Sequence, residues 1–122
     1  MIKPPTNLLC EYLYNPIGID TQTPRFSWNL EHEERTQFQS AYQIIMSSDK
    51  QTLISEKGDL WDTGKIKSEK TINIYYTGKS LKSNSVYYWR VKWWDKNDTS
   101  SDFSEIAKFE TALLEESDWQ AK

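Results

Sequence analysis

Acidic side chains are the most abundant groups in this sequence that could take part in chemistry. The chain has 18 Asp and Glu residues, and two carboxylates held roughly 6.5–9.5 Å apart can act as general acid and base. The acids of interest lie in segments predicted to be loops: Glu31, Glu33, Glu34, Asp59, Asp62, Asp95 and Asp98. A solvated surface charge is the simpler interpretation of each. Asp62 and Asp95 each follow a Trp at a predicted strand end, and we expect both to accept hydrogen bonds at turns. No catalytic residue is predicted.

The sequence contains no motif typical of metal binding, cofactor binding or nucleophilic catalysis. A metal site needs about three or four converging ligands, whereas the sequence has one histidine, His32, and one cysteine, Cys10. It has no Gly-x-Ser-x-Gly elbow, and its four glycines form no phosphate-binding loop. We therefore predict no metal and no cofactor. An intrachain disulfide is excluded, and Cys10 is interpreted as a small buried hydrophobe on the first strand.

Aromatic residues are concentrated in Tyr87–Trp94, where strand alternation divides the side chains between two faces. The uncharged set is predicted to face the core: Tyr87, Trp89, Val91 and Trp93. The mixed set is predicted to face solvent: Tyr88, Arg90, Lys92 and Trp94. Burial therefore explains most of the aromatic residues in this segment, and only Tyr88 and Trp94 are not explained by it.

Four aromatic side chains are candidates for a functional surface: Tyr88, Trp94, Trp61 and Tyr75. They could form a platform on which a sugar ring stacks, pack against a neighbouring domain, or cover their own sheet. A module that must be held in place needs apolar anchors, so packing against a neighbouring domain is favoured. Carbohydrate contact stays open as the alternative.

Short segments of alternating hydrophobicity, separated by turns, must position these residues. About seven predicted strands fit residues 1–112 as one all-β, immunoglobulin-like sandwich. The first is expected over Leu8–Leu13. Three sets are each expected to share a face: Phe26, Trp28 and Leu30; Tyr42, Ile44 and Met46; Ile72, Ile74 and Tyr76. A helical turn is expected after Ser48 or Asp49, and Gly58 is expected to end this helical segment. Residues 113–122 are predicted to be a linker toward a further domain.

Charge and hydropathy exclude several classes of partner. The net charge is −3 and the isoelectric point about 5.2, which argues against nucleic acid and against a polybasic membrane contact. No apolar run approaches the roughly 20 residues of a membrane span. No secretory signal is visible at the start, and the compartment stays open between cytoplasm, periplasm and exterior.

One set of residues resembles the fibronectin type III pattern. Leu81 precedes Tyr87 by six residues, and alternating apolar positions and a polar hairpin follow. The resemblance implies that Leu81 plugs the loop before the sixth strand and that the Tyr87 hydroxyl bonds back to the backbone. It also implies that Trp28 and Tyr42 are the core aromatic residues of the second and third strands.

A second resemblance covers nearly the whole chain. The blocks are EYLYNPIGIDTQTPRFSWNL, QSAYQI, GDLWDTGKIKS, YYWRVKWWD, SDFSEIAKFET and LLEESDWQAK. Together, and in this order, they resemble the N-terminal domain of bacterial α-L-rhamnosidases. The chain departs from that pattern at Asn97–Thr99, where the family commonly has a glycine, and at Phe103, where it often has Trp.

The resemblance implies a parent glycosidase whose catalytic carboxylates lie in a helical barrel further along the chain. No catalytic residue of that barrel matches a position here. The implied function is a non-catalytic module whose partners are the downstream domains of the same parent chain. A carbohydrate-binding module and an adhesion-type fibronectin III domain are the alternatives.

Overall fold

Two antiparallel β-sheets pack face to face in the computed structural model, which describes residues 3–30 and 39–112. The strands are β1 (Thr6–Cys10), β2 (Arg25–Asn29), β3 (Ala41–Ser47), β4 (Trp61–Asp62), β5 (Ile66–Lys67), β6 (Ile74–Tyr75), β7 (Val86–Trp94) and β8 (Ala107–Glu110), and α1 (Lys50–Ile54) follows β3. The first sheet has the order β1-β2-β6, and the second β4-β3-β7-β8, with β5 also pairing with β3. The predicted all-β sandwich is confirmed.

Strands β4 and β5 are two parts of one edge. Both pair antiparallel with β3, at Ile45 and Met46 for β4 and at Ala41 and Tyr42 for β5. Thr63 and Gly64 interrupt the pairing, and Gly64 has a φ of +64°, which glycine adopts at little cost. The eight strands therefore correspond to the predicted number of about seven.

The central strand β7 alternates between buried and half-buried side chains along its whole length. All seven residues predicted to be core are buried: Trp28, Tyr42, Leu81, Tyr87, Trp89, Val91 and Trp93. The Phe26 and Trp89 rings lie 4.6 Å apart at the centre. The Tyr87 hydroxyl accepts the backbone N–H of Lys82 at 2.7 Å, which closes the loop before β7 in the manner of a tyrosine corner.

A second apolar cluster covers the outer face of β3 and β7. Ile45, Leu53 and Phe103 form it, with Tyr88 and Ile106 packed against them. Leu53 comes from α1, which begins after Asp49 because that carboxylate accepts the Gln51 backbone N–H at 3.0 Å. The predicted helical turn is present, but it ends at Ile54 rather than near Gly58.

The structure corrects two predicted elements. The first strand ends at Cys10 rather than Leu13, because Glu11 and Tyr12 adopt left-handed φ angles of +51° and +64°. Ile72 is 51% exposed rather than inward-facing, because β6 begins only at Ile74, after Asn73 with a φ of +59°. Glu31, His32, Glu33, Glu34 and residues 113–122 lie outside the described residues.

Within residues 3–30 and 39–112, no helix has the length and apolar character that crossing a membrane requires.

Candidate functional site

Trp61 corrects the predicted aromatic surface. It is only 6% exposed and belongs to the core, where its ring lies 4.9 Å from that of Tyr76 and 5.7 Å from that of Phe26. The register explains this position: Trp61 pairs with Met46, and directly paired residues on neighbouring strands face the same side of a sheet. Because Met46 points into the core, Trp61 does too.

Tyr88 and Trp94 lie on the same outer face of β7 but do not form a platform. They are six residues apart, which is about 20 Å along a strand. Tyr88 is half-buried against the cluster of Leu53 and Phe103, so it covers its own sheet. Two cations lie over the Trp94 ring, since the Lys65 and Lys92 amines are each 5.1 Å from its centroid. The four predicted aromatic residues therefore share no common surface.

Trp61 and Tyr75 do come together, on the side of the sandwich where β4 and β6 face each other. A groove of about 550 Å³ opens there, which we call the polar groove. Its apolar and aromatic walls are Tyr42, Trp61, Ile66, Ile74 and Tyr75, and its polar walls are Asp62, Thr63, Lys70, Asn73 and Thr77. Tyr75 is 54% exposed and is the aromatic ring most available to a ligand there.

The polar groove has a fixed frame and free hydrogen-bonding groups. The Trp61 indole N–H donates to the Thr77 hydroxyl at 3.1 Å, and the Asn73 side-chain oxygen accepts the Tyr12 hydroxyl. The Tyr42 hydroxyl has no partner within the described part of the chain, although burial raises the pKa of Tyr42. Tyr42 lines the groove, and its hydroxyl is not fully buried.

A buried amide fixes one wall of the polar groove. Gln39 is 2% exposed; its side-chain oxygen accepts the Trp28 indole N–H at 3.0 Å, and its NH₂ group donates to the carbonyls of Ser68 and Lys70 at 2.9 and 2.8 Å. These three bonds hold the segment between β5 and β6 against β2. This role could not be predicted from the sequence, because a lone Gln beside a polar loop resembles a surface residue.

The opposite side of the sandwich exposes apolar side chains on the loop between β1 and β2. Leu13, Tyr14 and Ile17 are 57%, 73% and 73% exposed. Tyr14 also walls a second groove, of about 580 Å³, that lies between β1 and the segment leading into β8. The apolar lining of this groove includes Pro4, Pro5, Leu8, Phe103, Ile106 and Ala107. We call the three exposed residues and this groove the apolar flank.

The loop of the apolar flank is held rigidly. Arg25 donates from Nε and Nη2 to the Glu11 carboxylate at 2.9 and 3.0 Å, and its backbone N–H donates to Glu11 at 2.7 Å. The hydrogen bond from Arg25 lowers the pKa of Glu11 below its ordinary value. The Asn15 side chain accepts the backbone N–H of Lys108 at 3.1 Å, and Pro16 accepts that of Glu110 at 3.0 Å.

Sequence reasoning missed the apolar flank. Residues such as Leu13, Tyr14 and Ile17 resemble core positions, and their exposure depends on left-handed backbone at Glu11, Tyr12 and Asn15. Of these three, only asparagine adopts that conformation readily. The pattern Asn15-Pro16 with Gly18 indicated a turn, but not which side chains it would leave in water.

Three of the acids named in the sequence analysis have structural partners. Asp95 Oδ1 accepts the backbone N–H groups of Asn97 and Thr99, both at 2.9 Å. Asp62 Oδ1 accepts the backbone N–H of Gly64 at 2.9 Å and the side-chain NH₂ group of Gln43 at 2.8 Å. Both therefore make the predicted kind of turn contact. Asp98 forms an ion pair with Lys65 at 2.6 Å. In the ranges 3–30 and 39–112, no three metal-ligating side chains converge.

Cys10 lies in the core, 1% exposed. Burial raises the pKa of its thiol well above the ordinary value, so the reactive thiolate is suppressed.

Comparison with known proteins identifies relatives over nearly the whole chain. Residues 5–115 match the family described as Rha78A-like, N-terminal immunoglobulin domain. An α-L-rhamnosidase of Formosa agariphila is 41% identical over 105 residues, which are 86% of this chain and 11% of that protein. The solved α-L-rhamnosidase of Dictyoglumus thermophilum superposes with a TM-score of 0.94 at 46% identity, over 99% of this chain and 14% of that one. A fibronectin type III domain from a human protein superposes with a TM-score of 0.52 at 16% identity, over 92% of this chain and 87% of that domain, and supports the fold alone.

Proposed function

The chain belongs to the Rha78A-like N-terminal immunoglobulin domain family, and from this we propose that it is a non-catalytic accessory module of a multidomain α-L-rhamnosidase. Its role is to dock onto the other domains of that enzyme and hold them in place. The chain spans 11–14% of the relatives' length, so most of such an enzyme lies outside the matched region.

The observation that carries this proposal is the apolar flank. Tyr14 and Ile17 are each 73% exposed. The fold therefore lacks the roughly 1.5–3 kcal/mol of stabilisation that burial of a large apolar side chain contributes. Three non-glycine left-handed residues in the same loop, Glu11, Tyr12 and Asn15, cost further free energy. A loop that is rigid, strained and apolar is suited to a preformed contact, because docking then requires little further ordering.

The partner of the apolar flank is another domain of the same parent chain. Domain contacts within one chain are commonly 600–1,500 Å² and partly polar, which a flank of three apolar side chains beside a groove suits. We further propose residues 113–122 as the connection to that domain. The bonds of the sandwich continue up to Ala112, whose N–H donates to Ile19 at 2.7 Å and whose carbonyl accepts from Asn84 at 3.1 Å.

The structural use of three of its acids supports the proposal that this module is not catalytic. Asp62, Asp95 and Asp98 each have a structural partner. A chromogenic aryl α-L-rhamnoside incubated with the 122-residue chain is expected to release aglycone at the rate of a buffer blank. Release above the blank that tracks the protein through purification would overturn the non-catalytic assignment.

Docking is tested by changing the apolar flank in the full-length enzyme and in the 122-residue chain. Tyr14→Ser with Ile17→Ser is expected to leave the melting temperature of the short chain unchanged, since both side chains are already in water. In the full-length enzyme the same pair should loosen this module and lower its unfolding temperature.

The matched control is Ile72→Ser, because Ile72 is 51% exposed and lies away from the apolar flank. It should have no effect in either protein. Equal behaviour of the double variant and the control in the full-length enzyme would contradict docking through this flank.

A further inference from the structure

We propose that the polar groove between the β4–β5 edge and β6 is a binding site for a neutral sugar, with a pyranose ring stacked on Tyr75. This site goes beyond the proposed docking function and does not depend on it, since the polar groove and the groove of the apolar flank have no lining residue in common.

The aromatic surface of the groove suits a sugar ring. One face of a pyranose carries mainly C–H bonds, which pack well against an aromatic ring. Tyr75 is 54% exposed, while its strand neighbour Ile74 faces the core and is 6% exposed. Trp61 and Tyr42 also line the groove. The exposed ring on which a sugar would stack thus lies at the edge of a packed core.

The polar groups of the groove match the hydroxyl groups of a sugar. The Tyr42 hydroxyl has no partner within the described part of the chain, and neither does Asp62 Oδ2, since both hydrogen bonds of that carboxylate use Oδ1. The Asn73 oxygen is occupied by Tyr12, which leaves its NH₂ group to donate. Sugar hydroxyls both donate and accept, so one ring can satisfy an acceptor such as Asp62 and donors such as Tyr42 and Asn73 together.

Charge and size favour a neutral ligand of one or two sugar units. The charged groups in the walls are Asp62 and Lys70, which balance each other, and no arginine or helix end lines the groove to hold a phosphate. The volume of about 550 Å³ lies within the range of small-molecule sites.

The groove is preorganised, which lowers the cost of binding. Gln39 holds the Lys70 carbonyl at 2.8 Å, and Thr77 holds the Trp61 indole at 3.1 Å. The Thr63 hydroxyl accepts the backbone N–H of Ile44 at 3.0 Å and so fixes the bulge between β4 and β5. A sugar would therefore meet walls that do not have to form on binding.

The test is a titration of the ¹⁵N-labelled 122-residue chain with L-rhamnose and with D-glucose, followed by amide and indole NMR shifts. Saturable shifts are expected at the Trp61 indole and at the amides of Thr63, Asn73, Tyr75 and Thr77. The expected dissociation constant is roughly 1–10 mM, which is reasonable for a ligand of monosaccharide size. Sorbitol is the matched ligand control, because it has the hydroxyls of glucose without a ring face.

Two variants assign the binding to the groove. Tyr75→Ala removes the stacking ring from an exposed position and should weaken binding at least ten-fold. Tyr42→Phe keeps the ring and its contact with Trp28, at 5.3 Å, and should weaken binding roughly five-fold through one lost hydrogen bond. Tyr14→Ala, at an exposed tyrosine on the apolar flank, should bind as the unaltered chain does.

Three results would each overturn the proposal. They are the absence of saturable shifts with either sugar, equal shifts with glucose and sorbitol, and unchanged binding in both Tyr75→Ala and Tyr42→Phe. The first is also the outcome expected if the groove instead receives a protein segment.

Discussion

The two open sides of the sandwich present different chemistry to water. The apolar flank exposes Leu13, Tyr14 and Ile17 beside a groove whose walls combine apolar side chains with the charged Lys3, Arg90 and Glu105. The polar groove exposes one large ring, Tyr75, amid hydroxyl, amide and carboxylate groups. Both sides are held by hydrogen bonds that tie loops to strands, so both are preformed.

The difference indicates two kinds of contact. Contact with an apolar surface is strongly favourable only when it removes a large area from water, and another folded domain can provide such a contact. A groove lined by unpaired hydrogen-bonding groups suits a hydrated ligand that replaces water partners one for one. One small domain can thus be anchored on one side and remain open on the other.

Trp28→Ala is the largest expected disruption, and it should affect the side of the polar groove most. Trp28 is 2% exposed, packs on Tyr42 and donates to Gln39. Loss of its volume and of one hydrogen bond should lower the free energy of unfolding by roughly 3–5 kcal/mol, as measured by urea denaturation. Tyr14→Ala on the apolar flank should change it by less than about 0.5 kcal/mol. A loss below about 1 kcal/mol for Trp28→Ala would mean that this ring does not support the core.

Gln39→Ala tests whether the polar groove has a fixed wall. It removes three hydrogen bonds and leaves the buried Trp28 N–H and two carbonyls to find other partners. The expected loss of stability is roughly 2–3 kcal/mol. Gln43→Ala is the matched control, because Gln43 bonds Asp62 at an exposed position, and it should cost less than about 0.5 kcal/mol. Similar losses for the two would show that Gln39 does not fix the wall.

Glu11→Gln is the smallest expected effect and concerns the loop of the apolar flank. The pKa of Glu11 is lowered in the folded chain by the hydrogen bond from Arg25, so its ionised form stabilises the fold. This contribution is complete above the ordinary Glu pKa of about 4.3 and is lost as pH falls through the lower folded value.

The variant should therefore be less stable than the unaltered chain by up to about 1 kcal/mol at pH 7, since the pair is partly exposed. The two chains should converge in stability as the solution is acidified below pH 4, approximately the ordinary pKa of glutamate. A difference that grows on acidification would contradict the assigned role of the ion pair.

Sequence patterns predicted the elements whose burial is one-sided and regular. The alternation in β7 predicts that Tyr87, Trp89, Val91 and Trp93 face the core. The prediction succeeds because β7 is long and pairs with a strand on each side, so its side chains alternate regularly between the two faces of the sheet. Asp49 was one of the two predicted helix caps, and Tyr87 was implied as the corner residue by the fibronectin type III resemblance; both rest on local chemistry rather than on burial.

The candidate sites were less predictable because they depend on distant partners. Trp61 is inward because of its register with Met46, and a two-residue strand carries no alternation to reveal that. Tyr88 is covered because Leu53 and Phe103 reach it from two other segments. The exposure of Tyr14 and Ile17 depends on residues with left-handed backbone that are not glycines, so the sequence contains no glycine to indicate this conformation.

Hydrogen exchange of the 122-residue chain and of the full-length enzyme tests the central claim most directly. The account predicts that amides at 13–17 and 104–106 exchange more slowly in the full-length enzyme, because the apolar flank is covered there. Amides at 62–63 and 73–77, along the polar groove, should exchange at the same rate in both proteins. Protection of the polar groove with no change at the apolar flank would contradict the account.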